Sequence, residues 1–175
     1  MEWEVEVKSR ITPSLAVSLK EKIAELYGEA LHSEIDFRDV YWGAKEGSVA
    51  FRLRYRAQGL TVTHKRKSWG EAGVEMNRES EFSLPLSESA RVESFFNLLG
   101  YNPLYEKEKR GEAWQLANLT IEIVEVPPLG HFIEIEYLGS DKELALKCLQ
   151  EVRNKLNISE LPLEERYYSE MLPKE

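Results

Sequence analysis

The sequence predicts an α+β fold: a closed eight-stranded antiparallel β-barrel, or tunnel, with α-helices flanking it. Three observations carry that expectation. Runs with period-two alternation outnumber helical ones. Within those runs the charged residues share one face and the apolar residues take the other. Three helical segments carry apolar stripes able to cover the apolar strand faces from outside, which turns the ionic faces toward a lumen.

The first strand, Trp3 to Arg10, sets Glu4, Glu6 and Lys8 on one side and Trp3, Val5 and Val7 on the other. Thr12-Pro13 supplies a cap and a first-turn proline for a helix whose stripe is Leu15, Leu19, Ile23, Leu26 and Tyr27, ending at Gly28. Strands Asp36 to Trp42 and Ser48 to Ala57 flank a turn from Gly43 to Gly47, and Leu60 to Lys67 follows Gln58-Gly59 closely enough for a hairpin. The loop Ser68 to Asn77 is expected to be mobile, and Arg78 to Leu84 is the fifth strand. Ser87 opens a second helix carrying Val92, Phe95, Phe96 and Leu99 before Gly100. Leu104 to Arg110, Ala113 to Val126 and His131 to Leu138 complete the eight strands, each bounded by Gly, Pro or Asn. Ser140-Asp141-Lys142-Glu143 is a capping box for a third helix to about Lys155, and a short helix is expected from about Leu163 to Leu172.

At 175 residues, with 42% hydrophobic and 31% charged content, the chain fits one globular domain spanning residues 1–175. A net charge of −8 argues against a protein that coats duplex nucleic acid, so any phosphate site must be a local concentration of Lys and Arg. The opening Met1-Glu2-Trp3-Glu4 has neither a basic nor an apolar leader region, and no apolar run approaches membrane-spanning length. The expectation is a soluble cytoplasmic protein without a membrane partner. Cys148, the single cysteine, sits at helical spacing with Leu144, Leu149 and Val152 and reads as a buried structural thiol. His32, His64 and His131 form no metal-ligand pair. Heavy use of Glu, Lys and Arg hints at a thermophilic source.

Alternation places Glu4, Glu6 and Lys8, then Arg52, Arg54 and Arg56, on the ionic side. Lys65 and Lys67, Glu79 and Glu81, Lys107 and Lys109, Glu122, and Glu134 and Glu136 follow on later strands. Buried charges are tenable only when they compensate one another or a charged ligand does so. A polyphosphate would neutralise the cations, and hard divalent ions would bridge its oxygens to the carboxylates. Phosphoryl chemistry uses these parts, because its catalysis is mostly positioning and charge stabilisation.

Several segments resemble the CYTH superfamily of triphosphate tunnel metalloenzymes, nearest to its class IV adenylyl cyclase-like proteins. Glu4-Val5-Glu6-Val7-Lys8 matches E-x-E-x-K, Asp39-Val40-Tyr41-Trp42 matches D-x-Y-[FW], and Arg52-Leu53-Arg54 matches the L-R-x-R strand. Val62-Thr63-His64-Lys65 and Arg78-Glu79-Ser80-Glu81 resemble the strands that follow. Leu129-Gly130-His131-Phe132-Ile133-Glu134-Ile135-Glu136 is similar to L-G-x-F-x-E-I-E, and the segment Arg166 to Leu172 resembles the S-Y-x-x-L tail.

The resemblance implies triphosphate binding by Lys8, Arg52, Arg54, Lys65, Lys107 and Lys109. It implies Mg²⁺ or Mn²⁺ held among Glu4, Glu6, Glu79, Glu81, Glu134 and Glu136, with Glu122 and Glu136 as catalytic carboxylates. The implied partner is ATP or another triphosphate or polyphosphate, and the implied assembly a monomer or homodimer. Two positions depart from the family pattern: Gly111 stands where an arginine is usual, with Arg110 one place off, and Val124 stands for an aspartate. Four readings remain open: an adenylyl cyclase-like enzyme making cyclic AMP and pyrophosphate, a triphosphate hydrolase, a catalytically weakened binding module, and a purely structural barrel held by internal salt bridges.

Overall fold

In a computed structural model the described residues are 3–44, 48–69 and 74–172, with backbone alone for 65–69 and 75–78. Eight strands form one antiparallel sheet: β1 (Trp3–Ile11), β2 (Leu31–Gly43), β3 (Val49–Arg56), β4 (Gly59–Trp69), β5 (Glu75–Leu84), β6 (Asn102–Leu116), β7 (Leu119–Val126) and β8 (Gly130–Gly139). Helices α1 (Pro13–Leu26), α2 (Ser89–Leu98), α3 (Lys142–Leu156) and the single turn α4 (Tyr168–Met171) complete the chain. The sheet curls on itself in the order β1-β5-β4-β3-β2-β6-β7-β8. Its lacing is uneven: β1 pairs with β8 over nine residues, from Trp3 with Gly139 to Ile11 with His131, whereas its described pairs with β5 are Glu4–Glu6 against Glu75–Asn77. The outcome is an eight-stranded antiparallel sheet rolled into a barrel shape with α1, α2 and α3 outside it and α4 against its inner face. No helix among the described residues is long and apolar enough to cross a membrane.

Burial follows the alternation. Val5, Val7, Ile121, Ile123, Ile133 and Ile135 point away from the ionic face and form one core with Leu19 and Ile23 of α1 and Leu149, Val152 and Leu156 of α3. A second cluster sits under α2, where Val40, Trp42, Leu53, Leu60 and Val62 meet Val92 and Phe96. Apolar burial of this kind is the main driving force holding helices to the sheet.

The helices start where local chemistry satisfies their free N–H groups. The Thr12 hydroxyl accepts from Leu15 N at 3.2 Å ahead of Pro13. At α3 the cap is Asp141 rather than Ser140, its carboxylate accepting from Glu143 N and Leu144 N at 3.0 and 3.1 Å. Asn157, in the left-handed region at φ 58°, ends α3.

Other expectations need correction. The turn between β6 and β7 lies at Ala117-Asn118, not before Ala113, so β6 runs unbroken through Gly111. Gly111 is required there by proximity: a Cβ would fall 2.1 Å from Ile123 O and 2.8 Å from Val124 Cα of the neighbouring strand. β2 begins at Leu31, five residues before the expected start, because β6 is long enough to pair with it from Gln115 onward. The second helix is preceded by a 3₁₀ turn at Leu86–Glu88, so its α-helical part begins at Ser89.

The C-terminal helix is one turn only. Before it the chain runs beside β1, where Glu164 N donates to Lys8 O at 2.8 Å, and the buried Arg153 reaches Leu161 O at 2.7 Å. Cys148 is half-buried, on the flank of α3 rather than in its core. β4 continues to Trp69 and β5 starts at Glu75, which shortens the expected mobile loop; residues 70–73 lie outside the described ones, as do 45–47 of the first expected turn.

Candidate functional site

The inward face of the sheet surrounds a cavity of about 730 Å³. Strand register explains who meets whom there. Asp39 on β2 stands across from Arg54 on β3 and from Lys107 on β6. Arg54 Nε and Nη2 donate to the two oxygens of Asp39 at 2.7 and 3.0 Å, a bidentate fork that fixes both side chains. Lys107 Nζ lies 3.3 Å from the same carboxylate and Arg52 Nη1 3.9 Å from it. Asp39 has no solvent exposure. Burial alone would raise its pKa, but Arg54, Lys107 and Arg52 together hold it well below the usual carboxylate range. One buried carboxylate is thus shared by three cations.

A second knot joins β6, β7 and β8. Glu122 and Glu134 are direct cross-strand partners, an arrangement that repels unless a cation intervenes. Lys109 intervenes, donating to Glu122 at 2.5 Å and to Glu134 at 2.6 Å. Burial opposes the charge on Lys109, yet the two carboxylates raise its pKa well above the ordinary lysine value. Burial likewise opposes the charge on Glu134, and Lys109 overcomes it, holding the carboxyl near a pKa of about 2.

The other oxygen of Glu134 accepts from the Tyr168 hydroxyl of α4. The Tyr168 ring lies 5.0 Å from Lys107 Nζ and 5.7 Å from Lys8 Nζ, and packs edge-on against Phe132. Burial and the neighbouring Glu134 push its phenol pKa well up, so the hydroxyl keeps its proton and donates.

Lys8, Arg52, Arg54, Lys107, Lys109, Glu122, Glu134 and Glu136 all line this cavity, as do Glu4 and Glu6. Glu79 and Glu81 line it from an exposed stretch of β5, and Thr63 Oγ1 donates to Glu81 at 3.3 Å. The side chain of Lys65 lies outside the described residues. Arg110 is 60% exposed and pairs with Glu108 and Asp36 on the outside of the sheet. The register through Gly111 is continuous on both sides, so no bulge turns Arg110 inward. Val124 is fully buried in an apolar cluster with Val126 and Phe132, against which Ile35, Leu129 and Tyr168 pack. Two site residues carried no assigned role in the sequence. Asp39 was visible only within a motif, and Tyr168 only within a tail expected to be helical.

The carboxylates suit a hard cation in kind, being oxygen donors from Glu6 and Glu136, which are direct cross-strand partners, and from Glu4 two residues along. Among the described residues, however, no three His, Cys, Asp or Glu side chains converge into a cage for a metal ion. Glu6 and Glu136 could therefore supply at most part of the shell of a hard divalent ion, the rest coming from water or a ligand.

Comparison with known proteins agrees with this geometry. A family model described as the CYTH domain matches residues 2–168. A Methanocaldococcus jannaschii protein called "Putative adenylate cyclase" is 25% identical over 173 residues, which cover 96% of this chain and 97% of that one. The PH1012 protein from Pyrococcus horikoshii OT3 superposes with a TM-score of 0.80 at 25% identity, covering 97% of this chain and 99% of that one. HpAC1 from Hippeastrum, described as a "putative adenylyl cyclase" with a dominant triphosphatase activity, gives a TM-score of 0.71 at 16% identity, with 98% and 93% covered; at that identity the likeness is one of fold.

Proposed function

This chain belongs to the CYTH domain family, and from that premise we propose that it is a metal-dependent enzyme acting on a triphosphate held in the barrel cavity. The observation that carries the reading is the cation cluster at Asp39, where one buried carboxylate is shared by Arg52, Arg54 and Lys107. Arg52 adds a second demand, since its buried Nε–H has no acceptor among the described residues. A buried donor without a partner costs stability that an incoming phosphate oxygen would recover.

In this reading Lys8, Arg52, Arg54, Lys107 and Lys109 bind phosphate oxygens, with Lys65 assigned to the same row by its position on β4. Mg²⁺ or Mn²⁺ would be held by Glu6 and Glu136, with Glu4 and Glu134 nearby and Glu79 and Glu81 on the exposed side. When bound, the metal would supply neutralisation of charge on the phosphate oxygens. Asp39 positions Arg54 and Lys107 in advance, so little reorganisation accompanies the reaction. Glu122 and Glu136 are the carboxylates assigned to accept a proton from the attacking group.

In the cyclase form the ribose 3′-hydroxyl attacks the α-phosphorus and expels pyrophosphate. In the hydrolase form water attacks the terminal phosphorus. Incubation of the purified protein with Mn²⁺ and either ATP or tripolyphosphate, followed by resolution of cyclic AMP, pyrophosphate and orthophosphate, separates the two. The apolar packing of Val124 favours a second reading, a triphosphate-binding module with weakened chemistry, which predicts thermal stabilisation by tripolyphosphate without product.

Arg52 offers a selective test because it is the loosest of the three cations around Asp39. Arg52→Ala is expected to leave the melting temperature within a few degrees of wild type while weakening tripolyphosphate binding about 10- to 100-fold, measured by calorimetric titration. Unchanged affinity would remove Arg52 from the site.

A further inference from the structure

The cavity wall changes character beside the cation row. Tyr41 on β2 stands directly across from Tyr105 on β6 and from Arg52 on β3. The two phenol rings stack with centroids 4.5 Å apart and planes 16° from parallel. Both line the cavity, and β3 continues the same stretch with Val49, Ala50 and Phe51. Ser169 of the tail lines the cavity with them. The same cavity also holds the rings of Phe37, Tyr167 and Tyr168, while the part around Ser33, Gln115 and Thr120 offers hydroxyl and amide groups.

A bare polyphosphate has no use for an aromatic ledge, since its oxygens are met by guanidinium and ammonium groups. A flat heteroaromatic group attached to the phosphate chain does, because every base presents a π-face that stacks on an aromatic side chain. We propose that Tyr41 and Tyr105 are specificity-determining residues that form a platform for the base of a nucleoside triphosphate, with the phosphate chain running inward from Arg52. This rests on the triphosphate reading above and adds the chemical class of the group attached to the phosphates.

The test is titration of wild type, Tyr41→Leu and Tyr105→Leu with ATP and, separately, with inorganic tripolyphosphate, both with Mg²⁺. The ATP affinity of each variant is expected to fall about tenfold relative to its tripolyphosphate affinity. Tyr41→Phe and Tyr105→Phe, which keep the rings, should retain the wild-type ratio. A parallel fall for both ligands, or no fall for either, overturns the platform. A further readout needs no variant: the emission of 2-aminopurine riboside triphosphate should be quenched by stacking on the wild-type protein, and bound probe without quenching would also overturn it. Wild type that binds tripolyphosphate but not ATP defeats this proposal alone. Wild type that binds neither defeats the triphosphate reading on which it rests.

Discussion

Replacement of Asp39 by Ala is expected to cost about 3–5 kcal/mol of folding stability, the penalty typical of removing one partner from a buried ionic cluster. The carboxylate is wholly enclosed and answers Arg54 in a bidentate fork, Lys107 at 3.3 Å and Arg52 at 3.9 Å. Without it three cations face one another in a poorly solvated wall. Urea denaturation with and without tripolyphosphate measures the effect, and the ligand should stabilise the variant by more than it stabilises wild type because it replaces the lost counter-charge. Equal stabilisation of both proteins would mean that the ligand binds elsewhere.

The same residue gives an acid-side prediction. Its pKa is depressed on folding, so its stabilising contribution is fully present above the unfolded value near 4 and is lost as pH falls toward the folded value. Wild-type stability should decline below pH 4 with a share of about 1.4 kcal/mol per pH unit from this one group. Asp39→Asn should remove that share. Glu134, held near about 2, adds a similar slope between pH 4.5 and 2 that the Asp39 variant retains.

Lys109→Met is expected to have an effect of comparable size through the opposite sign of charge. Lys109 alone separates Glu122 from Glu134 in the described hydrogen bonds, at 2.5 and 2.6 Å, and all three are drawn from adjacent strands. Its removal leaves two carboxylates directly opposed in a site of low polarity, with a cost of several kcal/mol. It also removes a cation proposed to meet developing phosphate charge, for which a loss of about 10²–10³ in turnover is the ordinary magnitude. The double variant Lys109→Met with Glu122→Gln, compared with Glu122→Gln alone, separates the two effects. Its melting temperature should recover much of the loss, and its turnover should remain well below that of Glu122→Gln. Turnover equal to that of Glu122→Gln would show that Lys109 serves the fold alone.

The ionic face was legible in the sequence because a strand has no freedom in its alternation: once Val5 and Val7 seek a helix-covered core, Glu4, Glu6 and Lys8 must face the other way. The same logic located Arg52 and Arg54, Lys107 and Lys109, and Glu134 and Glu136. Asp39 escaped it, because its neighbours on the inward face are Phe37 and Tyr41 and a lone acid between aromatics carries no visible pattern. Its role depends on which strands flank β2, and pairing partners are not local information. Tyr168 escaped for a similar reason: the tail's path is set by distant hydrogen bonds to Lys8 and Arg153. Gly111 misled in the opposite direction, since a glycine inside a strand reads as a break when its actual cause is the close approach of Ile123 and Val124.

The walled-in cations also govern how a ligand arrives. The chain as a whole carries a net charge of −8, while Lys8, Lys107 and Lys109 are each at most 6% exposed. At low salt, where the Debye length reaches about 30 Å, an approaching polyanion meets the net negative charge of the whole chain before it reaches these cations. Encounter is therefore slowed by the protein's own field and should quicken as added salt screens it, the reverse of a surface binder of nucleic acid. On the triphosphate reading, a small phosphate chain partly neutralised by its metal would cross that barrier more readily than a long polyanion, and the exterior would sort ligands by charge before the interior met any of them.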